Sequence, residues 1–244
     1  METNFRNTNL DNIESATIVE RKNALASVFG WMFIGMILTT IASITFASVD
    51  GLFELLVTTD AFGNAHRTIL GYVVMFAPLG LLIGMGAGYR KLPFVGLAAL
   101  FMVFSTLFGI SISYIFKVYE VGSIVNVFLS TCSLFGIMAA VGYFTKTDLT
   151  KMGSILMIGV MGIFVASLIN LFMHSNSMGY IISVIAVIIF TGLTAYDMQK
   201  IKNMLQDNDG SESYKKLALW GALDLYLDFI NLFLSLLRIF GSRK

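Results

Sequence analysis

The chain is poor in the residues that most often carry chemistry or covalent bracing. Its single cysteine, Cys132, cannot form an intramolecular disulfide, and two histidines with no cysteine cluster beside them offer no metal-ligand spacing. Charged residues make up 13% of the chain, about half the usual share, and the net charge of +1 leaves no basic footprint for nucleic acid. Only two prolines, Pro78 and Pro93, interrupt it. What is there in quantity is apolar: 57% of the 244 residues are hydrophobic, and the mean hydropathy is +0.80. A soluble enzyme of this size could not cover such a surface with polar groups. The 22 glycines and scarce prolines predict long helices that pack closely. The composition is that of an all-α membrane protein.

Residues 1–23 are polar and lack an apolar core or small-residue cleavage site, so they read as a solvated cytoplasmic tail rather than a secretory signal peptide. Seven apolar stretches follow, at about 24–47, 69–88, 94–115, 121–144, 152–173, 178–199 and 216–240. Each is long enough to cross a hydrocarbon core near 30 Å as a helix. Barrel strands would alternate over about ten residues and are excluded. The predicted organisation is a tail, a transmembrane domain over 24–240, and a short basic end at 241–244.

Lys and Arg set the expected orientation. Arg21, Lys22, Arg90, Lys91, Lys146, Lys151, Lys200, Lys202, Lys215 and Lys216 fall on one set of connectors, against Arg67 and Lys117 on the other. This bias puts the N-terminus in the cytoplasm. Seven full spans then put Arg238, Arg243 and Lys244 outside, against the rule. A full last span is the preferred reading, with a re-entrant last segment as the alternative. Gly80, Gly84 and Gly88 form a small-xxx-small face on the second span, expected to pack. The scattered Met and Phe read as core and lipid-facing filler. Asn170 and His174 read as the polar end of the fifth span, His66 as a solvated loop residue, and Cys132 as a small apolar residue.

Three carboxylates intrude into the spans: Asp197 in the sixth, and Asp224 and Asp228 in the seventh. Each carries an insertion cost on the order of 2.5–3.5 kcal/mol near a helix centre. Asp224 and Asp228 are four apart, so they share a helical face that Asn231 extends. Lipid cannot solvate that face, so it is expected to point into the bundle. Asp197 lies near the same end, and the spacing predicts that it meets a seventh-span aspartate. Two carboxyls brought together away from water cannot both ionise easily, so they share a proton. Deprotonated, they attract a cation, and carboxylate oxygens suit Ca²⁺. The alternative is structural: aspartates tying helices together through Arg90, Asn231 or backbone groups.

The segments 194–201 (TAYDMQKI) and 222–233 (ALDLYLDFINLF) resemble the two signature regions of the Bax inhibitor-1 family. The first is similar to its Tyr-Asp-x-Gln-x-Ile at the end of the sixth helix, the second to its Asp-Leu-x-Leu-Asp-Phe-Ile in the seventh. The resemblance spans roughly residues 20–240. It implies six helices around a central seventh and a pH-sensitive calcium leak channel, and the short polar N-terminus reads as that of a bacterial member in the inner membrane. The resemblance also implies an aspartate pair on Asp197 and Asp228 that senses protons and calcium, with Asp224 and Asn231 in support. A second-helix arginine latches the sixth-helix aspartate in the closed state, and Arg90 is the candidate here. On this reading low pH keeps a proton on the pair, and higher pH favours the Arg90 latch or a Ca²⁺ ion.

Three other classes compete. Tyr196-Asp197 is similar to the first motif of intramembrane aspartyl proteases, but Asp224 lacks the preceding glycine and no Pro-Ala-Leu follows. A non-conducting adaptor for other membrane proteins fits the glycine face. A proton-coupled transporter fits less well, for want of an inverted repeat. No resident cofactor and no catalytic group is expected, and the chain reads as non-enzymatic.

Overall fold

The structure, a computed structural model, describes residues 2–60, 65–205 and 211–244, with side chains from residue 24 onward apart from Thr59 and Ala65. The side chains of the expected polar tail therefore lie outside the described ones. Among the described residues the seven apolar stretches are all helical and of membrane-crossing length.

Helix α1 (Glu2–Ser48) carries the first apolar run over Ala24–Ser48. The following connector contains a short helix α2 (Asp50–Glu54) and a hairpin of β1 (Val57–Thr59) and β2 (Ala65–Arg67). Thr68 then starts α3 (Ile69–Gly88): its hydroxyl accepts from Gly71 N at 2.9 Å and donates to Leu55 O. Gly71 sits so close to the Leu56 carbonyl that a Cβ would overlap it, which is how α3 docks under the hairpin. Next come α4 (Phe94–Ile112), a one-turn α5 (Ile115–Val118) and α6 (Val121–Phe144). The last three are α7 (Thr150–Met173), α8 (Asn176–Met204) and α9 (Glu212–Phe240). His66, expected in a loop, is in β2, exposed, with Nε2 3.2 Å from Asp60 Oδ2.

The spans alternate in direction, so the bundle has two ends. One gathers Lys91, Lys146, Lys151, Lys202 and Lys215 and is called here the lysine-rich end; the other carries the hairpin. The C-terminal α9 is one unbroken 29-residue helix, the geometry of a full span rather than a re-entrant one. Residues 242–244 fold back at the hairpin end: Glu120 N donates to Ser242 O (3.0 Å) and Lys244 N to Val118 O (3.0 Å).

Helix α9 is the most buried span and α7 the least. It packs on α1, α4, α6 and α8, whereas α3 packs chiefly on α4 and α7 chiefly on α8. Those four helices make the main contacts of α9, and α3 reaches it near its end, where Gly86 and Tyr89 meet Trp220. On α9, Tyr226 is fully buried: its hydroxyl is 2.6 Å from Thr39 Oγ1 of α1, and its ring meets Phe101, Phe104 and Phe108 of α4 edge-on. Phe128 and Phe135 of α6 meet Phe229 in the same way.

The glycines that let backbones approach are not those of the regular stripe. Gly80 and Gly84 on α3 are exposed, with open space where a Cβ would be. Gly142 of α6 lies against the Ala195 backbone, Gly109 of α4 against Thr39, and Gly221 of α9 against Ile201.

Candidate functional site

The segment 194–201 closes α8 onto three neighbours at once. Tyr196 lies over Gly153 of α7, where a Cβ would strike its ring. Gln199 clamps the α6–α7 connector, accepting from Leu149 N at 2.9 Å and donating to Thr147 O at 2.8 Å. Ile201 fills the gap left by Gly221 on α9. Between these, on the face turned to α9, stands Asp197.

Asp197 is 7% exposed and Asp228 3%, so both carboxyls are out of bulk water. They lie within hydrogen-bonding reach of each other across the α8–α9 interface. Among the described residues no hydrogen-bond donor reaches Asp228 Oδ2, which is buried. A contact between two carboxyls needs a proton between them; with both ionised, two negative charges face each other without water. The arrangement is therefore chemically suited to hold one proton and to change state when that proton leaves.

The cation beside the pair is Lys200. Its Nζ is 3.0 Å from Asp224 Oδ2 and 3.7 Å from Asp197 Oδ1. Sequence reading counted Lys200 only as a charge that sets orientation, although its i,i+3 spacing from Asp197 places both on one side of α8. Arg90 is elsewhere: α3 ends at Gly88, and Arg90 is exposed in the turn beyond it, with no ion pair among the described residues. Asn231 does not join the acids either. It donates back to Leu227 O of its own helix at 2.8 Å.

Among the described residues no group of three or more His, Cys, Asp or Glu is arranged to hold a metal. Asp197 and Asp228 alone fall short of the six to eight oxygens that Ca²⁺ ordinarily takes. Asn170 and His174 form a turn as expected of a polar helix end: Asn170 Oδ1 accepts from Ser175 N, and His174 adopts the left-handed conformation at φ 53°. Cys132 is half-buried in α6 with a free thiol.

The fold and site define a multi-pass helical membrane protein with a carboxyl pair sealed between its last two spans. The family model described as inhibitor of apoptosis-promoting Bax1 matches residues 21–244, and the chain belongs to that family, Bax inhibitor-1. Among similar proteins is the inner membrane protein YbhL of Escherichia coli K12, 41% identical over 222 residues, or 90% of this chain and 92% of that one. An uncharacterised protein of Borreliella burgdorferi is 39% identical over 234 residues, covering 95% and 97%. One of Rickettsia prowazekii is 38% identical over 220 residues, covering 90% and 89%.

Proposed function

We propose that the chain is a pH-sensitive cation leak channel, with calcium as the principal ion, gated by Asp197 and Asp228. The observation that carries this reading is the juxtaposed acids themselves: two buried carboxyls, one oxygen without a donor, and a lysine on one flank. With a proton shared between them the two carboxyls stay in contact across the α8–α9 interface. Loss of that proton sets two charges against each other and makes a cation the favoured partner. One pH unit is worth about 1.4 kcal/mol per proton, or tenfold in a two-state population, enough to shift a balanced bundle. The bias comes only from the differential affinity of proton and cation for the two states.

The Lys and Arg asymmetry supports a cytoplasmic N-terminus, and likeness to an inner membrane protein supports that membrane in a bacterial cell. Arg90 enters as a second cation, available to Asp197 when α3 moves towards α8. The test is calcium flux into proteoliposomes holding the purified chain, across the neutral pH range. Wild-type flux is expected to change about tenfold per pH unit in the steepest region. Asp197→Asn and Asp228→Asn are each expected to flatten that response. Variants that follow the wild-type curve throughout sink the proposal.

One observation favours a second reading, a non-conducting adaptor. Gly80 and Gly84 leave open space on the exposed face of α3 that none of the described residues fills. A stoichiometric membrane-protein partner, together with no flux from the purified chain, would put that reading first.

A further inference from the structure

The hairpin end holds a second concentration of charge with the opposite sign and no partner. A cavity of about 440 Å³ opens there between α7, α8 and α9, floored by Tyr114, Ile115, Val118 and Tyr119, and both Arg238 and Arg243 line it. A second cavity of about 350 Å³ adjoins it and shares Ser167, Ile182 and Arg238. We propose that this crevice binds an oxyanion of the phosphate type between the two guanidinium groups.

Charge balance is the first argument. No Asp or Glu lines either cavity, and neither arginine is in an ion pair or hydrogen bond with the described residues. Asp50, an acid at this end, is taken by Lys117 at 3.1 Å. Two guanidiniums lining one crevice give it a positive potential that an anion between them would offset. Guanidinium forks match phosphate oxygens in pairs.

The second argument is that the arginines are built in. Arg238 lies across the α8 backbone at Gly179, where a Cβ would overlap its guanidinium. Only glycine at 179 leaves that path. Arg243 is held by the bridge between its backbone and Tyr119, with its guanidinium over the Tyr119 ring at 6.0 Å. An arginine serving only as an anchor at the membrane surface needs neither device.

The neutral groups complete the site. Ser183 and Ser235 spend their hydroxyl protons on Gly179 O and Asn231 O. The Tyr114 and Ser167 hydroxyls line the cavity with no hydrogen bond among the described residues, so both are free to donate. The crevice thus offers donors and positive charge, and no carboxylate.

Two sources carry this chemistry: a phospholipid headgroup, reached past the lipid-facing α7, and a free phosphate from water. Calorimetric titration of the full chain in uncharged detergent separates them, with inorganic phosphate and short-chain phosphatidylglycerol as separate probes. Saturable binding of at least one probe is expected. Arg238→Gln and Arg243→Gln should each weaken it by about tenfold or more, the scale of losing a charge-assisted hydrogen bond. Lys117→Gln should leave it unchanged. Gly179→Ala keeps both charges and displaces only the flexible tip of Arg238, so it serves where Arg238→Gln fails to fold, and it should weaken binding too. Binding of phosphatidylglycerol alone assigns the site to a headgroup; displacement of the lipid by phosphate assigns it to the bare anion. Absence of saturable binding by either probe overturns the proposal. So does loss in Lys117→Gln equal to that in the arginine variants, which would mean diffuse charge rather than a site.

Discussion

Helices α7 and α9 invert the rule learned from soluble proteins. The most apolar of the seven spans is α7, yet Gly153 is its only buried residue. The least apolar is α9, and two-thirds of its central stretch is buried. In water this would be a contradiction. In a bilayer the solvent is itself hydrocarbon, so an apolar side chain gains little by turning inward, and what must be hidden is polar. Helix α9 is the most buried span because it carries Asp224, Tyr226, Asp228 and Asn231, and α7 is the least because it carries almost nothing that lipid rejects.

The largest test of this contrast exploits close approach instead of polarity. Gly142→Val forces a side chain onto the Ala195 backbone and should cost at least about 3 kcal/mol, the upper end of overpacking penalties. Gly136→Val, on the same helix with open space around it, should be neutral. Size-exclusion profiles after graded heating in detergent compare the two. A middle-sized test sets Leu225→Ala in α9 against Ile158→Ala in α7. The first empties a fully buried site and should cost about 2–4 kcal/mol, while the second changes a side chain that is 73% exposed and should cost under about 0.5 kcal/mol. Equal losses would mean that α7 is covered by something beyond this chain. The smallest effect lies outside the membrane. Thr150 donates from its backbone N (2.9 Å) and hydroxyl (2.6 Å) to the exposed Asp148, holding that carboxyl below the usual aspartate range. A depressed folded-state value stabilises above the unfolded one, so the contribution is present above about pH 4 and fades as pH falls. Asp148→Asn should lower the melting temperature slightly at neutral pH and converge with wild type in acid.

The spans were legible because each is a run of about twenty apolar residues, a signal that needs no partner to read. Orientation of each helix about its own axis was not. Lipid and core are equally apolar, so nothing in 69–88 marks Gly80 and Gly84 as outward-facing, and their regular spacing invited the opposite reading. Gly142, Gly153 and Gly221, which do the packing, sit in no shared pattern. The hairpin over Val57–Thr59 and Ala65–Arg67 was hidden by its length, three residues a strand. The acids were readable as inward-facing because a carboxylate has nowhere else to go. Their neighbour was harder: Arg90 and Lys200 both follow apolar spans, and only the packing of α8 on α9 puts Lys200 between Asp197 and Asp224 while Arg90 is exposed.

Tyr226 has a mechanical consequence. Two residues from Asp228, it fastens α9 to Thr39 on one side and to a trio of phenylalanine rings on the other. The wall that bears Asp228 is braced like a fixed doorpost. Across from it α8, the wall that carries Asp197, bears on Gly142, Gly153 and Gly221, so the two acids face each other from firmly seated helices.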